Sequence, residues 1–203
     1  KGRERSRPLS FMTQEDSMAG TTYLALLRGI NVGGKNKVPM AALKALLEEI
    51  GLEDVSTYIA SGNAMFRSKL AAATIARKIE DGLTSTFKLD DELVKVLVLS
   101  HAQLKAIVDK RPKGFGDAPD TYHSDAVFLM DIDRDEAFAV FKPRDGVDKV
   151  WPGEGMIYSQ RLSAERTKSR LSKIMESPLY KSMTIRSWQT TQKLLELLEA
   201  GRK

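Results

Sequence analysis

Gly29, Gly34 and Lys35 stand in the spacing G-x-x-x-x-G-K directly after an apolar run. In that spacing a loop can cradle phosphate on its backbone N–H groups while the lysine meets the charge. The next position is Asn36, so the hydroxyl that such a loop offers to a metal ion is missing. Pro39 also delays the following helix, whereas a phosphate cradle needs its helix to begin at the Gly-Lys step. What the segment retains is simpler anion chemistry: Gly33 and Gly34 free the backbone donors, and Arg28, Lys35 and Lys37 supply positive charge. The alternative is a connecting loop whose glycines serve backbone geometry alone.

Other constellations are weaker. Asp131, Asp133, Asp135 and Glu136 resemble the start of a calcium loop, but the required Gly is absent and the twelfth position is Lys142. Carboxylates capping a helix N-terminus account for them better. His101 and His123, the only histidines, show no metal-ligand spacing and read as solvent-facing residues. No nucleophile-elbow motif accompanies the many serines. Arg161, Arg166, Lys168, Arg170 and Lys173, with Lys181 and Arg186 beyond, form the densest basic stretch, and Tyr158, Tyr180 and Trp188 are interleaved with them. That mixture suits nucleic acid, but Trp188 opens an apolar helical stripe and reads as core, and no RNA-recognition string is present.

These groups must be positioned by a regular framework. Tyr23 to Arg28 reads as a buried strand, Met40 to Ile50 as a helix stopped by Gly51, and Val55 to Ile59 with Ala64 to Arg67 as a hairpin around Ser61-Gly62-Asn63. Ile75, Ile79, Leu83 and Phe87 mark one helix face, and Val94 to Leu99 a further strand. The order is β-α-β-β-α-β. A connecting helix opens at a Ser100/Gln103 capping box and closes by Pro112. The same order then recurs. Asp125 to Met130 is a strand, Asp133 caps a short helix, Val147 to Trp151 and Met156 to Tyr158 form a hairpin, and a helix from about Ser163 precedes a strand over Met183 to Arg186. Ser187 caps a final helix carrying Trp188, Thr191, Leu194, Leu195 and Leu198. The expected fold is α+β, two consecutive ferredoxin-like plaits with a connecting helix and a C-terminal helix. The expected divisions are a disordered tail over 1–20, a first domain over 21–99, a connector over 100–120 and a second domain over 121–203.

The chain has 203 residues, and its hydrophobic fraction of 42% is enough for real cores. Its formal net charge of +5 comes from 32 basic and 27 acidic residues that are interspersed, a mild bias toward anionic partners. With no cysteine, disulfides, thiolate nucleophiles and Cys-ligated metals are excluded, which suits a reducing compartment such as the cytoplasm. No apolar run approaches the roughly 20 residues that cross a bilayer, so no membrane span or secretory signal is expected. The residues call for no cofactor and no metal, and they leave the oligomeric state open.

LLRGINVGGKNKV over Leu26 to Val38 and YIASGN over Tyr58 to Asn63 closely resemble the domain-of-unknown-function family 1697, and TIRSW followed by QTTQKLLEL resembles that family's other signature. The resemblance implies a bacterial protein with a duplicated ferredoxin-like fold and no established activity. The chain departs from the family at Ser187, where Asn is usual, and at Lys168-Ser169-Arg170, which only approximates Arg-Ser-Lys.

Two functions follow as expectations. The first is a binding module for a phosphate-bearing ligand or a nucleic acid backbone; the alternative is an enzyme acting on a small phosphorylated or carboxylated metabolite. In a β-α-β-β-α-β sheet the end of the first strand lies beside the start of the third, so the Arg28 to Lys37 loop should meet Ser61-Gly62-Asn63. The expected ligand contacts are Arg28, Asn31, Gly33, Gly34, Lys35, Lys37, Ser61 and Asn63. Lys168, Ser169, Arg170 and Arg186 form a possible second site.

Overall fold

The computed structural model describes residues 20–89 and 94–201; the expected tail lies outside them but for Gly20. Eight strands form two four-stranded antiparallel sheets. In the first half, β1 (Thr21–Arg28), α1 (Met40–Glu49), β2 (Glu53–Tyr58), β3 (Asn63–Ser68), α2 (Ala72–Thr86) and β4 (Lys95–Ser100) follow one another, with strand order β2-β3-β1-β4. α3 (His101–Asp109) then leads to β5 (Tyr122–Leu129), α4 (Arg134–Ala139), β6 (Asp148–Pro152) and β7 (Met156–Leu162). Three short 3-10 helices cover 163–182 before β8 (Met183–Ser187) and α5 (Trp188–Ala200), and the second sheet has the order β6-β7-β5-β8. Both sheets thus place their first strand between the third and the fourth.

The apolar run in β1 is continuous because both of its faces are buried. Tyr23, Ala25 and Leu27 pack into an outer core with α1 and α2, where Ile75, Ile79 and Leu83 form the inner stripe of α2. Leu24 and Leu26 face the opposite way, into a central core shared with the second half. Leu104 and Ile107 of α3, Ala126 and Phe128 of β5, and Trp188, Leu194 and Leu198 of α5 complete it. Phe115 sits at its middle, edge-on to Tyr158 and Trp188 with ring centroids 5.0 Å from each. The two sheets therefore turn one face each toward a common interior.

The capping box expected at α3 is present: the Ser100 hydroxyl accepts from the Gln103 N–H, and the Gln103 amide accepts from the Ser100 N–H. Asp133 likewise accepts from the N–H groups of Asp135 and Glu136, which lower its pKa. Asp133 thus caps the helix and Asp135 and Glu136 lie in its first turn, as expected of these carboxylates. One expectation fails. The helix placed from about Ser163 is instead the run of 3-10 helices, with Leu171 and Ile174 buried but Met175 57% exposed. Inward residues three apart fit a 3-10 turn, where i and i+3 eclipse, and Pro178 at a helix start prevents a continuous α-helix.

Candidate functional site

The β1–β3 pairing fixes the site. Leu26 stands opposite Asn63, and the Leu27 N–H donates to the Gly62 carbonyl at 2.8 Å, so the segment after β1 and the turn before β3 emerge together. The Gly-rich segment is a small hairpin rather than an open loop. The Asn31 N–H donates to the Asn36 carbonyl at 2.9 Å and the Lys35 N–H to the Val32 carbonyl at 2.9 Å. Gly33 and Gly34 turn the chain with φ of 57° and 78°, the positive pair that a two-residue hairpin favours. Asn31 and Asn36 also have φ above zero, which Asn tolerates better than most residues.

Side-chain amides brace this hairpin from below. Asn31 Nδ2 donates to the carbonyls of Val38 at 3.0 Å and Ala60 at 2.9 Å, while its Oδ1 accepts from the Val38 N–H at 2.9 Å. Asn36 Nδ2 donates to the Gly29 carbonyl at 2.8 Å. The Asn31–Ala60 bond joins hairpin and turn directly, so the two segments do meet, at one end of the two inner strands of the sheet and on one edge of the first half. Val32, Gly33, Gly34, Lys35 and Lys37 are exposed at its rim, as are Ile59, Ala60 and Ser61 in the turn.

Beneath the turn lies a group that sequence reasoning assigned elsewhere. Arg186, on β8, is buried and reaches across to the first half. Its Nε donates to Asn63 Oδ1 at 2.6 Å, and one terminal nitrogen donates to the carbonyls of Leu27, Ser61 and Gly62 at 3.0, 2.9 and 3.1 Å. The other holds Thr184 Oγ1 and the Ile185 carbonyl at 3.0 and 2.8 Å. These acceptors are all uncharged. Burial lowers the guanidinium pKa to about 10, still well above neutrality, so the cation persists. Asn63 is fully buried, and its Nδ2 donates to the Tyr58 carbonyl at 2.9 Å and to Ser61 Oγ at 3.0 Å. Its amide is committed within the protein. Arg28 adds a second tie: its Nε donates to the Met183 carbonyl at 3.0 Å and its guanidinium lies 5.4 Å from the Tyr180 ring centre.

Chemically, this edge offers cations and backbone rather than reactive groups. The helix after the hairpin begins at Met40, with Pro39 extended before it, so the geometry of a phosphate-cradling P-loop is absent. No residue of 29–38 or 59–63 is acidic or a histidine. Among the described residues no group of three or more His, Asp or Glu could hold a metal ion, and no helix is long and apolar enough to cross a membrane.

The expected second site separates. Arg186 and Ile185 are neighbours on β8 and point to opposite faces, so Arg186 joins the first site while Lys168, Ser169 and Arg170 lie across the sheet from it. Lys168 pairs with Glu165 at 2.7 Å, Ser169 Oγ accepts from the Leu171 N–H at 3.3 Å, and the Arg170 N–H donates to Asp148 at 2.9 Å. Of the two histidines, His123 is exposed, as expected, with its Nε2 3.1 Å from Asp125, whereas His101 departs from expectation: its side chain is only 16% exposed and its Nε2 lies 3.6 Å from Glu199. A larger cavity of about 710 Å³ borders Leu97 to Leu99, α3 and the Pro152–Gly155 turn; Tyr158 lines it, but none of the expected ligand contacts does. The signal for Arg186 was present in TIRSW, where one arginine interrupts a strand otherwise suited to burial.

A family model described as "Protein of unknown function (DUF1697)" matches residues 20–158. A solved structure, the conserved bacterial protein SP0830 from Streptococcus pneumoniae, is similar with a TM-score of 0.75 and 30% sequence identity, covering 88% of this chain and 98% of that one. No curated protein matches.

Proposed function

The chain belongs to the DUF1697 family of unknown function, and we propose that it is a binding module whose hairpin-and-turn edge holds a phosphate-bearing ligand or a nucleic acid backbone. The observation that carries this reading is the pair of exposed lysines, Lys35 and Lys37, on a braced hairpin that has no acidic residue in it or in the adjoining turn. Bracing matters because a side chain on an ordered support loses less freedom on binding. Ser61 adds a hydroxyl at the same rim, and Gly33 and Gly34 add backbone that a ligand can approach closely. With neither a carboxylate nor an imidazole in these two segments, recognition fits the edge better than acid–base catalysis.

The framework reading goes with it. Each half is a ferredoxin-like plait, a proposal supported by the strand order, with the first strand between the third and fourth. The lack of cysteine favours a cytoplasmic setting.

The test is fluorescence anisotropy of a labelled single-stranded oligonucleotide, with competition by inorganic tripolyphosphate. Binding should weaken steeply with salt, and Lys35→Ala with Lys37→Ala should reduce the slope of log K against log salt by about 0.7 per lysine, the value for a single strand. An unchanged affinity and slope in the double variant would overturn the assignment.

A further inference from the structure

The outer face of the second sheet is covered differently from that of the first. Helices of 10 and 15 residues, α1 and α2, roof the first sheet. The second has the 6-residue α4 and the three 3-10 helices, and where no continuous helix lies a hollow of about 370 Å³ opens against the sheet. That volume falls in the lower range of small-molecule sites.

Its floor follows from strand alternation. Asp125 and Val127 on β5, Ser159 and Arg161 on β7, and Ile185 on β8 all face outward into it. Arg166, Ser169 and Ser172 of the 3-10 segment close the polar side, and Leu171, Ile174 and Met175 the apolar side. Donors dominate the polar side. Among the described residues, the Arg161 side chain is held only by a 3.4 Å contact to Asp125, whose other oxygen meets His123 at 3.1 Å. Arg166 is exposed, and the nearby Glu165 is taken by Lys168. The Ser169 oxygen accepts from the Leu171 N–H, which leaves its O–H to donate outward.

We propose that this hollow is a binding site for a small organic anion, a phosphate monoester or carboxylate with a short apolar body. Two guanidinium groups take the head group, with serine hydroxyls beside them, and Val127, Ile174, Met175 and Ile185 receive the body. Asp125, on the floor beside Arg161, orients it through the 3.4 Å contact and is itself met by His123. Guanidinium groups suit this role because their planar fork pairs two oxygens at once. The site is separate from the hairpin-and-turn edge and does not depend on the reading of that edge.

The experiment is a titration of the ¹⁵N-labelled full chain with propyl phosphate and, separately, with butyrate, followed by amide shifts. Saturable shifts at Ser169, Ser172 and Ile185 are expected with at least one of the two, and the tighter probe identifies the head group. Arg166→Ala, an exposed change that leaves the core intact, should weaken that binding by about tenfold or more. Lys35→Ala with Lys37→Ala should leave it unaltered. Inorganic phosphate alone should bind more weakly than propyl phosphate where the apolar wall contributes. Absence of saturable shifts with both probes, shifts confined to 29–37, or binding indifferent to Arg166→Ala would each overturn the proposal.

Discussion

Arg186 Nε donates to Asn63 Oδ1 at 2.6 Å across a separation of 123 residues. One bond therefore ties the last strand of the second half to the first residue of β3 in the first half. The same guanidinium collects three carbonyls from Leu27, Ser61 and Gly62. Buried carbonyl oxygens need donors, and a guanidinium with five N–H groups can satisfy several at once. A lysine could serve the carbonyls from its single nitrogen but could not also reach Asn63 Oδ1, Thr184 Oγ1 and the Ile185 carbonyl, which the other two guanidinium nitrogens hold.

Replacing Arg186 should therefore damage both the turn and the contact between the halves. Arg186→Met keeps much of the side-chain volume but strands Asn63 Oδ1 and takes a donor from the Leu27 and Ser61 carbonyls, at about 1–3 kcal/mol for a buried group left unpaired, while the Gly62 carbonyl keeps the Leu27 N–H. Thermal unfolding should show a loss of roughly 3 kcal/mol or more, and Arg186→Lys should recover only part of it. A change within experimental error would mean that water takes over these acceptors.

Gly62 is predicted to resist any side chain. Its φ is 79°, and an added Cβ would lie 2.8 Å from Ile30 Cδ1 and 2.9 Å from Leu27 Cβ. Gly62→Ala thus combines a left-handed backbone with overpacking against β1, each worth about 1–3 kcal/mol. Gly34, with φ of 78° and no atom within 4 Å of such a Cβ, carries only the backbone part. The measurement is the difference in unfolding free energy of the two Ala variants. Gly62→Ala should be the more destabilised, and equal losses would remove the packing argument.

Much of this framework was legible because it is local. The uninterrupted apolar residues of β1, the four-residue spacing of Ile75, Ile79 and Leu83, and the Ser100/Gln103 box each announce an element within a few positions. The meeting of the 29–37 hairpin with the 61–63 turn was also readable, because strand order alone brings those ends together. What the sequence concealed is non-local. Arg186 looks like a surface cation until the first half supplies its acceptors, and Asn63 looks like an exposed turn residue until Arg186 and Tyr58 enclose its amide. Leu171 and Ile174 are spaced for an α-helix and a 3-10 helix alike, so the irregular segment and the hollow beneath it could not be separated from a continuous helix.

That hollow supplies the last prediction, through Asp125. Burial raises the pKa of its carboxyl, and the nearby His123 and Arg161 only partly oppose the rise. The native state then holds this proton more tightly than the unfolded chain. The stabilisation is fully present below the ordinary carboxyl pKa and is lost as pH climbs through the raised one. Asp125→Asn imitates the protonated carboxyl and cannot ionise; its amide oxygen can still accept from Arg161, while its NH2 takes the position that meets His123. The groups facing this position are His123, Arg161 and Arg166, so the comparison is best made at about pH 8, well above the carboxyl range, and at about pH 3, below it. The difference in Tm between Asp125→Asn and the parent chain should be more positive at the higher pH and shrink at the lower one. Removal of ionised Asp125 relieves its burial at pH 8, whereas at pH 3 both proteins carry a neutral group there. If the variant is relatively less stable at pH 8 than at pH 3, attraction to Arg161 outweighs burial, and Asp125 is an ion-pair partner in its own right.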